Sequence, residues 1–339
     1  VTEAPGAPEE AVVRTWLSRG GYAVATFEPL SGDVSPRRYT RVQFADGSGA
    51  ILASYPPEIA DVCNRFQRTT ELLAEAGVRV PRILTADCAA GFMLLEDLGR
   101  ETLGDRRELP WSDNARYFAT AQRLARRIAK LPADRVAPLS PVLDGEILRR
   151  ELAQTWEHFL EPNGLVADSA LAADLHAVLD ELCAKIEVDP QVPCHRDFMA
   201  RNLIPLAGGE VAVLDHQDLR LGPPLYDLAS LFNDTVFPPA EAEDELLNRA
   251  LPESRTGFHR TAAQRTLKAV GTYASFARRG ATRHLPLIAP TLASCLRHMG
   301  EVPETHALVG DLARAWSTVL RPAQFSGGAG GAGGGWGAN

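Results

Sequence analysis

Lysine is almost missing from this chain, with Lys130, Lys185 and Lys268 the only three, so arginine carries nearly all the positive charge. No contact within the first 129 residues can therefore depend on a lysine. Long apolar runs are absent too: none approaches the ~18 residues a membrane helix needs. Cys63, Cys88, Cys183, Cys194 and Cys295 are widely spaced, odd in number and free of any C-x-x-C pair. That spacing implies neither a zinc cluster nor a disulfide framework, and agrees with a reduced, cytoplasmic setting. The net charge of −8 lacks the basic excess expected of a nucleic-acid binder. The opening V-T-E-A-P-G-A-P-E-E is acidic, with no basic stretch leading into an apolar one, so it does not read as a signal peptide.

What remains is a chain of 339 residues, 45% hydrophobic, sufficient for one large buried core or two modest lobes. Residues 8–19 read as a short amphipathic helix. Strands are expected over 22–30, 38–44 and 50–55, with Asp46-Gly47 as the tight turn between the last two. A helix follows from about 57 to 76, opened by Pro57 and closed by Gly77, then short strands near 82–86 and 91–96. Beyond Leu98 helices dominate, at about 112–130, 144–160, 168–185, 224–233, 239–249, 259–279, 285–299 and 305–319. Within 259–279, Leu267, Val270, Ala274 and Ala277 form a stripe that reads as core packing. A hairpin interrupts these helices, strand 203–206 turning at Gly208-Gly209 into strand 211–215. Residues 323–339 form a glycine-rich, flexible tail that cannot bury enough apolar surface to fold, and Trp336 within it has no explanation.

The chemistry concentrates in C-H-R-D-F-M-A-R-N-L-I (194–204) and V-A-V-L-D-H-Q-D (211–218). These segments hold Asp197, Asn202 five residues later, and Asp215 at the end of an apolar run. Phosphoryl transfer needs such a set: one carboxylate to orient a hydroxyl and accept its proton, an amide oxygen and a second carboxylate to hold magnesium. His195-x-Asp197-x4-Asn202 has the spacing of the protein-kinase catalytic loop, but Asp215-His216-Gln217 replaces D-F-G.

With that departure the segment resembles the aminoglycoside phosphotransferase superfamily of small-molecule kinases. The resemblance implies an α+β, protein-kinase-like two-lobe fold, a β-rich N-lobe over 1–97 and a mainly helical C-lobe over 98–322. It implies Asp197 as catalytic base and Asn202 and Asp215 as magnesium ligands, with ATP as donor. His195 and Asp227, the latter in G-P-P-L-Y-D-L-A-S-L (222–231), are expected to brace the catalytic loop. S-G-D-V-S-P-R-R-Y-T-R-V, A-G-V-R-V-P-R-I-L and L-D-H-Q-D-L-R-L-G-P-P-L-Y-D narrow the likeness to bacterial N-acetylmuramate/N-acetylglucosamine 1-kinases of peptidoglycan recycling. Ala200 stands where members of that group often carry serine.

Under this likeness the hinge residues Glu96, Asp97 and Leu98 meet the adenine edge, with Met93 or Leu94 near the ring. Gly32 gives flexibility to a loop covering the nucleotide. With the third-strand lysine missing, an arginine must grip the phosphates: Arg38 is favoured, Arg41 next, with Arg37 beside them. On the acceptor side stand Arg201, Asp218, Glu151, Trp156 and His158. A small amino sugar is the expected partner, with no membrane or nucleic acid. The alternatives are an aminoglycoside or other small-molecule kinase of the same superfamily, and a nucleotide-binding pseudokinase scaffold.

Overall fold

The computed structural model describes residues 10–30, 36–250 and 255–320. Gly32 and the glycine-rich segment 323–339 lie outside the described residues.

Alternation of apolar side chains builds the N-terminal half as a two-faced sheet. Strands β1 (Val24–Leu30), β2 (Arg38–Phe44), β3 (Gly49–Ser54), β4 (Ile83–Asp87) and β5 (Phe92–Glu96) pair antiparallel in the order β1-β2-β3-β5-β4. Val42, Phe44, Ala50, Leu52, Phe92 and Leu94 cover one face and pack on Val13 and Leu17 of helix α1 (Glu10–Arg19). Ala53, Met93 and Leu95, one residue out of phase, pack with Tyr55 against Cys63 and Phe66 of α2 (Ala60–Glu75) on the opposite face. Gly47, at φ 85°, makes the expected turn between β2 and β3.

The remainder is helical: α3 (Trp111–Ile128), α4 (Ala133–Val136), α5 (Gly145–Thr155), α6 (Ser169–Glu187), then α7 (Tyr226–Phe232) to α13 (Ser317–Leu320). Among these, α8 spans Ala240–Ala250, α9 Thr256–Arg278, α10 Ile288–Gly300, α11 Pro303–His306 and α12 Val309–Ala315. One core gathers Phe118, Phe198, Leu203, Val213, Phe232 and Phe258 together with Leu73 and Val78 just past α2, so the sheet half and the helical half share it. A second core lies between α5, α6, α9 and α10 around Phe159, Leu182, Val270 and Leu292. The stripe on α9 is core, as its spacing predicts: Leu267 and Val270 are buried. Glycine at 271 allows α9 to press onto α5, because a Cβ there would meet Thr155 Oγ1 at 2.3 Å. Thr155 Oγ1 donates to Leu267 O at 3.0 Å across the same crossing. That crossing sets one turn of α5, carrying Glu151, against one turn of α9, carrying Arg265 and Lys268.

Four short strands frame the catalytic segment. β6 (Val192–Cys194) pairs with β9 (Arg220–Gly222), and β7 (Leu203–Pro205) pairs with β8 (Val211–Val213). The hairpin turns at Gly208 and Gly209, both at positive φ, as expected. β8 ends two residues earlier than the sequence suggests, so Asp215 lies beyond the strand, in the left-handed region at φ 58°.

The cysteine reading needs correction. Cys63 of α2 and Cys88 just after β4 form a disulfide, their Cα atoms 5.6 Å apart, while Cys183, Cys194 and Cys295 are free and buried. Spacing could not reveal it, because the pair meets only when α2 lies across the sheet. Disulfides persist in oxidising surroundings, so the cysteines no longer argue for a reduced compartment. No helix among the described residues is long and apolar enough to cross a membrane. Titration of the denatured, unreduced protein with a thiol reagent should find three thiols, and five after reduction. Cys63→Ser should cost roughly 3 kcal/mol of stability, the closure entropy of a loop this long, read from urea unfolding.

Candidate active site

The catalytic loop is held from below by one carboxylate. Asp227, buried near the start of α7, accepts the backbone N–H groups of His195 (2.8 Å) and Arg196 (3.0 Å). This fixes Arg196 in the left-handed region, at φ 75°, a conformation that costs a non-glycine residue about 1–3 kcal/mol. His195 Nε2 lies 2.9 Å from Leu214 O. A carbonyl only accepts, so Nε2 carries the proton and ties the loop to the residue before Asp215. His195 and Asp227, expected as braces of the loop, thus bond to its backbone and to Leu214.

Asn202 completes the tie. Its Nδ2 donates to Asp197 O at 2.9 Å, and its own backbone carbonyl accepts from Leu214 N at 2.8 Å. These bonds join the loop of Asp197 and Asn202 to the backbone next to Asp215, and Asn202 Oδ1 accepts no hydrogen bond among the described residues. Asp215 Oδ1 accepts from Arg37 Nη2 at 2.8 Å.

The surroundings of Asp197 are densely charged. Arg196 Nη1 lies 3.9 Å from Asp197 Oδ2 and 3.6 Å from Asp218 Oδ2, while Arg196 Nη2 donates to Glu151 Oε1 at 3.1 Å. Lys268 Nζ stands 3.7 Å from Glu151 Oε1, Arg265 Nη2 stands 4.0 Å from Asp197 Oδ1, and Arg220 Nη2 stands 3.5 Å from Asp218 Oδ1. Four cations thus surround three carboxylates. Burial alone would raise the Asp197 carboxyl, but Arg196, Lys268, Arg265 and His195 outweigh it and hold the group well below the usual carboxylate range. Glu151 is lowered likewise: burial opposes its charge, and Lys268 and Arg196 prevail. Asp227 moves the other way, pushed up to about 6 by burial, with His195 and the two backbone N–H groups only partly compensating. Glu151 Oε2, Tyr226 OH and Arg196 Nε are buried here without hydrogen-bond partners among the described residues.

Other sequence candidates are placed differently. Arg38 is exposed and shares its face of β2 with Val42 and Phe44, the face turned to α1. Arg37 and Tyr39 stand on the other face, so the guanidinium that reaches Asp215 is Arg37's. Arg41 grips the hinge, donating to Asp97 Oδ2 at 2.6 Å and to Gly99 O at 2.9 Å. Glu96 is occupied by Arg79 (2.7 Å) and Arg82 (3.3 Å), and Leu98 is half-buried between the halves. Arg201 turns away from Asp197 into an ion pair with buried Asp234 at 3.1 Å, beside His284 and Tyr273. Trp156 stacks on His176, ring centroids 4.1 Å apart, and donates to Glu161; neither it nor His158 joins the charged cluster among the contacts described. Glu151 and Asp218 do join it.

The sequence reading ranked Arg37 behind Arg38 and Arg41, and it missed Arg196, Arg265, Lys268 and His216. Parity along β2 could have separated Arg37 from Arg38. Arg265 and Lys268, three apart on α9 and so on one face beside the apolar stripe, were the signal for a buried charged site.

No group of three or more His, Cys, Asp or Glu side chains capable of holding a metal occurs among the described residues. A magnesium ion fits what is present. It prefers hard oxygen ligands and takes one or two carboxylates, with substrate phosphates and water completing its shell. Asp215 and the uncommitted Oδ1 of Asn202 match that demand.

A profile described as the phosphotransferase enzyme family matches residues 26–263. The chain is 36% identical over 295 residues to the N-acetylmuramate/N-acetylglucosamine kinase of Pseudomonas aeruginosa, covering 82% of this chain and 84% of that protein. It is 35% identical over 310 residues to the enzyme of the same description from Pseudomonas putida, covering 86% and 85%. Among solved structures it resembles the choline kinase LicA of Streptococcus pneumoniae, with a TM-score of 0.58, 15% identity and coverage of 89% and 99%. An ADP-bound aminoglycoside phosphotransferase gives 0.57 at 11% identity, covering 92% and 99%. These two bear on fold alone, and agree with a kinase-like sheet half joined to a helical half.

Protonating Asp227 would replace one of its two acceptor oxygens with a hydroxyl facing the His195 and Arg196 amides. Turnover should therefore fall as pH drops through about 6. Asp227→Asn should turn over about tenfold more slowly, with that acid limb gone from the kcat profile.

Proposed function

Because the chain belongs to the phosphotransferase enzyme family, we propose that it transfers the γ-phosphoryl group of ATP to the anomeric C1 hydroxyl of an amino sugar. N-acetylmuramate and N-acetylglucosamine are the proposed acceptors, on the strength of the relatives' descriptions, and cell-wall recycling in the cytoplasm is the proposed setting. The observation that carries this reading is the convergence of Asp197, Asn202 and Asp215 through Asn202's bonds to Asp197 and Leu214.

In this reading Asp197 receives the acceptor hydroxyl, orients it and takes its proton late. Its carboxyl, held ionised by Arg196, Lys268 and Arg265, is a weak base. A weak base suffices for a loose transition state, in which the nucleophile gains little bonding before the phosphate leaves. The anomeric hydroxyl, a hemiacetal, is also more acidic than an ordinary alcohol. Asn202 Oδ1 and Asp215 would hold magnesium, which neutralises charge on the nucleotide phosphates. Arg37 takes the part of the missing lysine: its fork is always charged and suits a phosphate bidentately. Asp218 and Glu151, the carboxylates that join Asp197 in this cluster, are the groups we assign to sugar hydroxyls. Four cations against three carboxylates leave this cluster with no excess of negative charge to attract a polycationic acceptor such as an aminoglycoside.

Incubation with Mg-ATP and each amino sugar, followed by phosphorus NMR, should give an anomeric phosphate. A product carrying phosphate on C6 would overturn the regiochemistry, and turnover of aminoglycosides in preference to sugars would overturn the acceptor class. Asp197→Asn should lower kcat by about 10³-fold. Arg37→Met should raise the KM for ATP roughly 10- to 100-fold with little change in the KM for sugar, whereas Arg38→Met should resemble the parent protein. Equal effects of the two arginine changes would refute the assignment of Arg37.

A further inference from the structure

Asp215 lies two residues beyond the end of β8 in a left-handed conformation, outside the strand's own hydrogen bonds. The next residue supplies the restraint. His216 is fully buried, and its ring packs on Phe66 of α2 with centroids 4.2 Å apart. Its Nδ1 lies 2.7 Å from Thr69 Oγ1, and its Nε2 3.4 Å from Thr70 Oγ1. Both threonine hydroxyls donate back to Phe66 O, at 3.0 and 2.8 Å, as threonines inside helices commonly do. A hydroxyl has one hydrogen: with Thr69 donating to Phe66 O, its oxygen accepts from Nδ1–H, the tautomer that the shorter of the two contacts favours, and Thr70, donating likewise, gives Nε2 no hydrogen.

We propose that His216 is the positioning residue for Asp215, and that α2 sets the metal aspartate through the Phe66–Thr69–His216 contact. Kinase-type enzymes commonly connect their helix to the phosphate site by a lysine–glutamate ion pair. That pair cannot form here: no lysine precedes Lys130, and the acids of α2, Asp61, Glu71 and Glu75, are all exposed. Asp61 and Glu75 are also engaged, by Arg65 and Arg135. Cys63, Phe66, Thr69 and Thr70 share one face of α2, and the bridge to Cys88 anchors that face to the sheet. Helix, bridge and imidazole form one rigid path from the sheet to Asp215.

The proposal rests on Asp215 being a metal ligand, so its test measures metal binding apart from turnover. Mn²⁺ binding in the presence of a non-hydrolysable ATP analogue is followed by electron paramagnetic resonance and calorimetry. Thr69→Val, which keeps the shape and removes the acceptor, should weaken Mn²⁺ binding about tenfold. It should also raise the Mg²⁺ concentration for half-maximal rate to the same extent, with the KM for sugar unchanged. Thr69→Ser should restore both, and His216→Phe, which keeps the ring stack, should match Thr69→Val. If Thr69→Val and His216→Phe bind Mn²⁺ like the parent protein, whatever their melting temperatures, the positioning role is refuted. Should His216→Phe fail to fold, the Val and Ser pair decides alone. If the parent protein itself shows no Mn²⁺–nucleotide binding, the ligand role of Asp215 fails and the proposal with it.

Discussion

One carboxylate receiving two backbone amides governs this molecule. Asp227 accepts from His195 and Arg196, and without that pair of bonds the left-handed turn at Arg196 would have no compensation. Everything nearer the chemistry hangs from this turn. It points Arg196 into the space between Asp197, Asp218 and Glu151, and it carries Asp197 to where Asn202 can bond to its carbonyl. Burying an ionisable group to brace a loop is costly, as the raised pKa of Asp227 attests. The fold tolerates the cost because the same group satisfies two amides that would otherwise be buried unpaired.

The legible part of the chain was what local rules govern. Strand alternation, the Asp46-Gly47 turn and the helical stripe of α9 depend on near neighbours, so the five-stranded sheet and most helices could be read directly. Asp197, Asn202 and Asp215, the trio proposed for the chemistry, stood out because their spacing within one loop and past the next strand follows a local pattern. What could not be read involves partners far apart in sequence. Cys63 meets Cys88 only through the packing of α2 on the sheet. Arg265 and Lys268 gain meaning only when Gly271 lets α9 close on α5. Arg201 looked like a phosphate or sugar ligand because it adjoins Asn202, but buried Asp234, more than thirty residues on, claims its charge. Arg38 was preferred to Arg37 with no weight given to strand parity, which decides on which side of a sheet a side chain emerges.

The N-terminal half shows how one missing residue is absorbed by redistribution. Arg41 serves the hinge through Asp97, Arg37 serves Asp215, and α2 reaches the same loop through an uncharged imidazole. Each contact is short and directional: two are guanidinium–carboxylate ion pairs, and the third is an imidazole against a threonine hydroxyl. Such contacts fix position more narrowly than a long flexible lysine does, because a planar guanidinium or imidazole satisfies its partner in few orientations.

The charge balance around Asp197 constrains what descendants of this scaffold could become. Four cations and three acids are embedded where α5, α9, the catalytic loop and the start of β9 pack together rather than displayed on a rim. Making room for a larger ligand is therefore not enough to change what the site accepts. Replacing Arg265 or Lys268 removes part of the counter-charge of Asp197 or Glu151, so the buried charges on α9 must change together with those acids. A shift of preference on this framework is thus a concerted change of several packed residues, and single substitutions along the way are penalised.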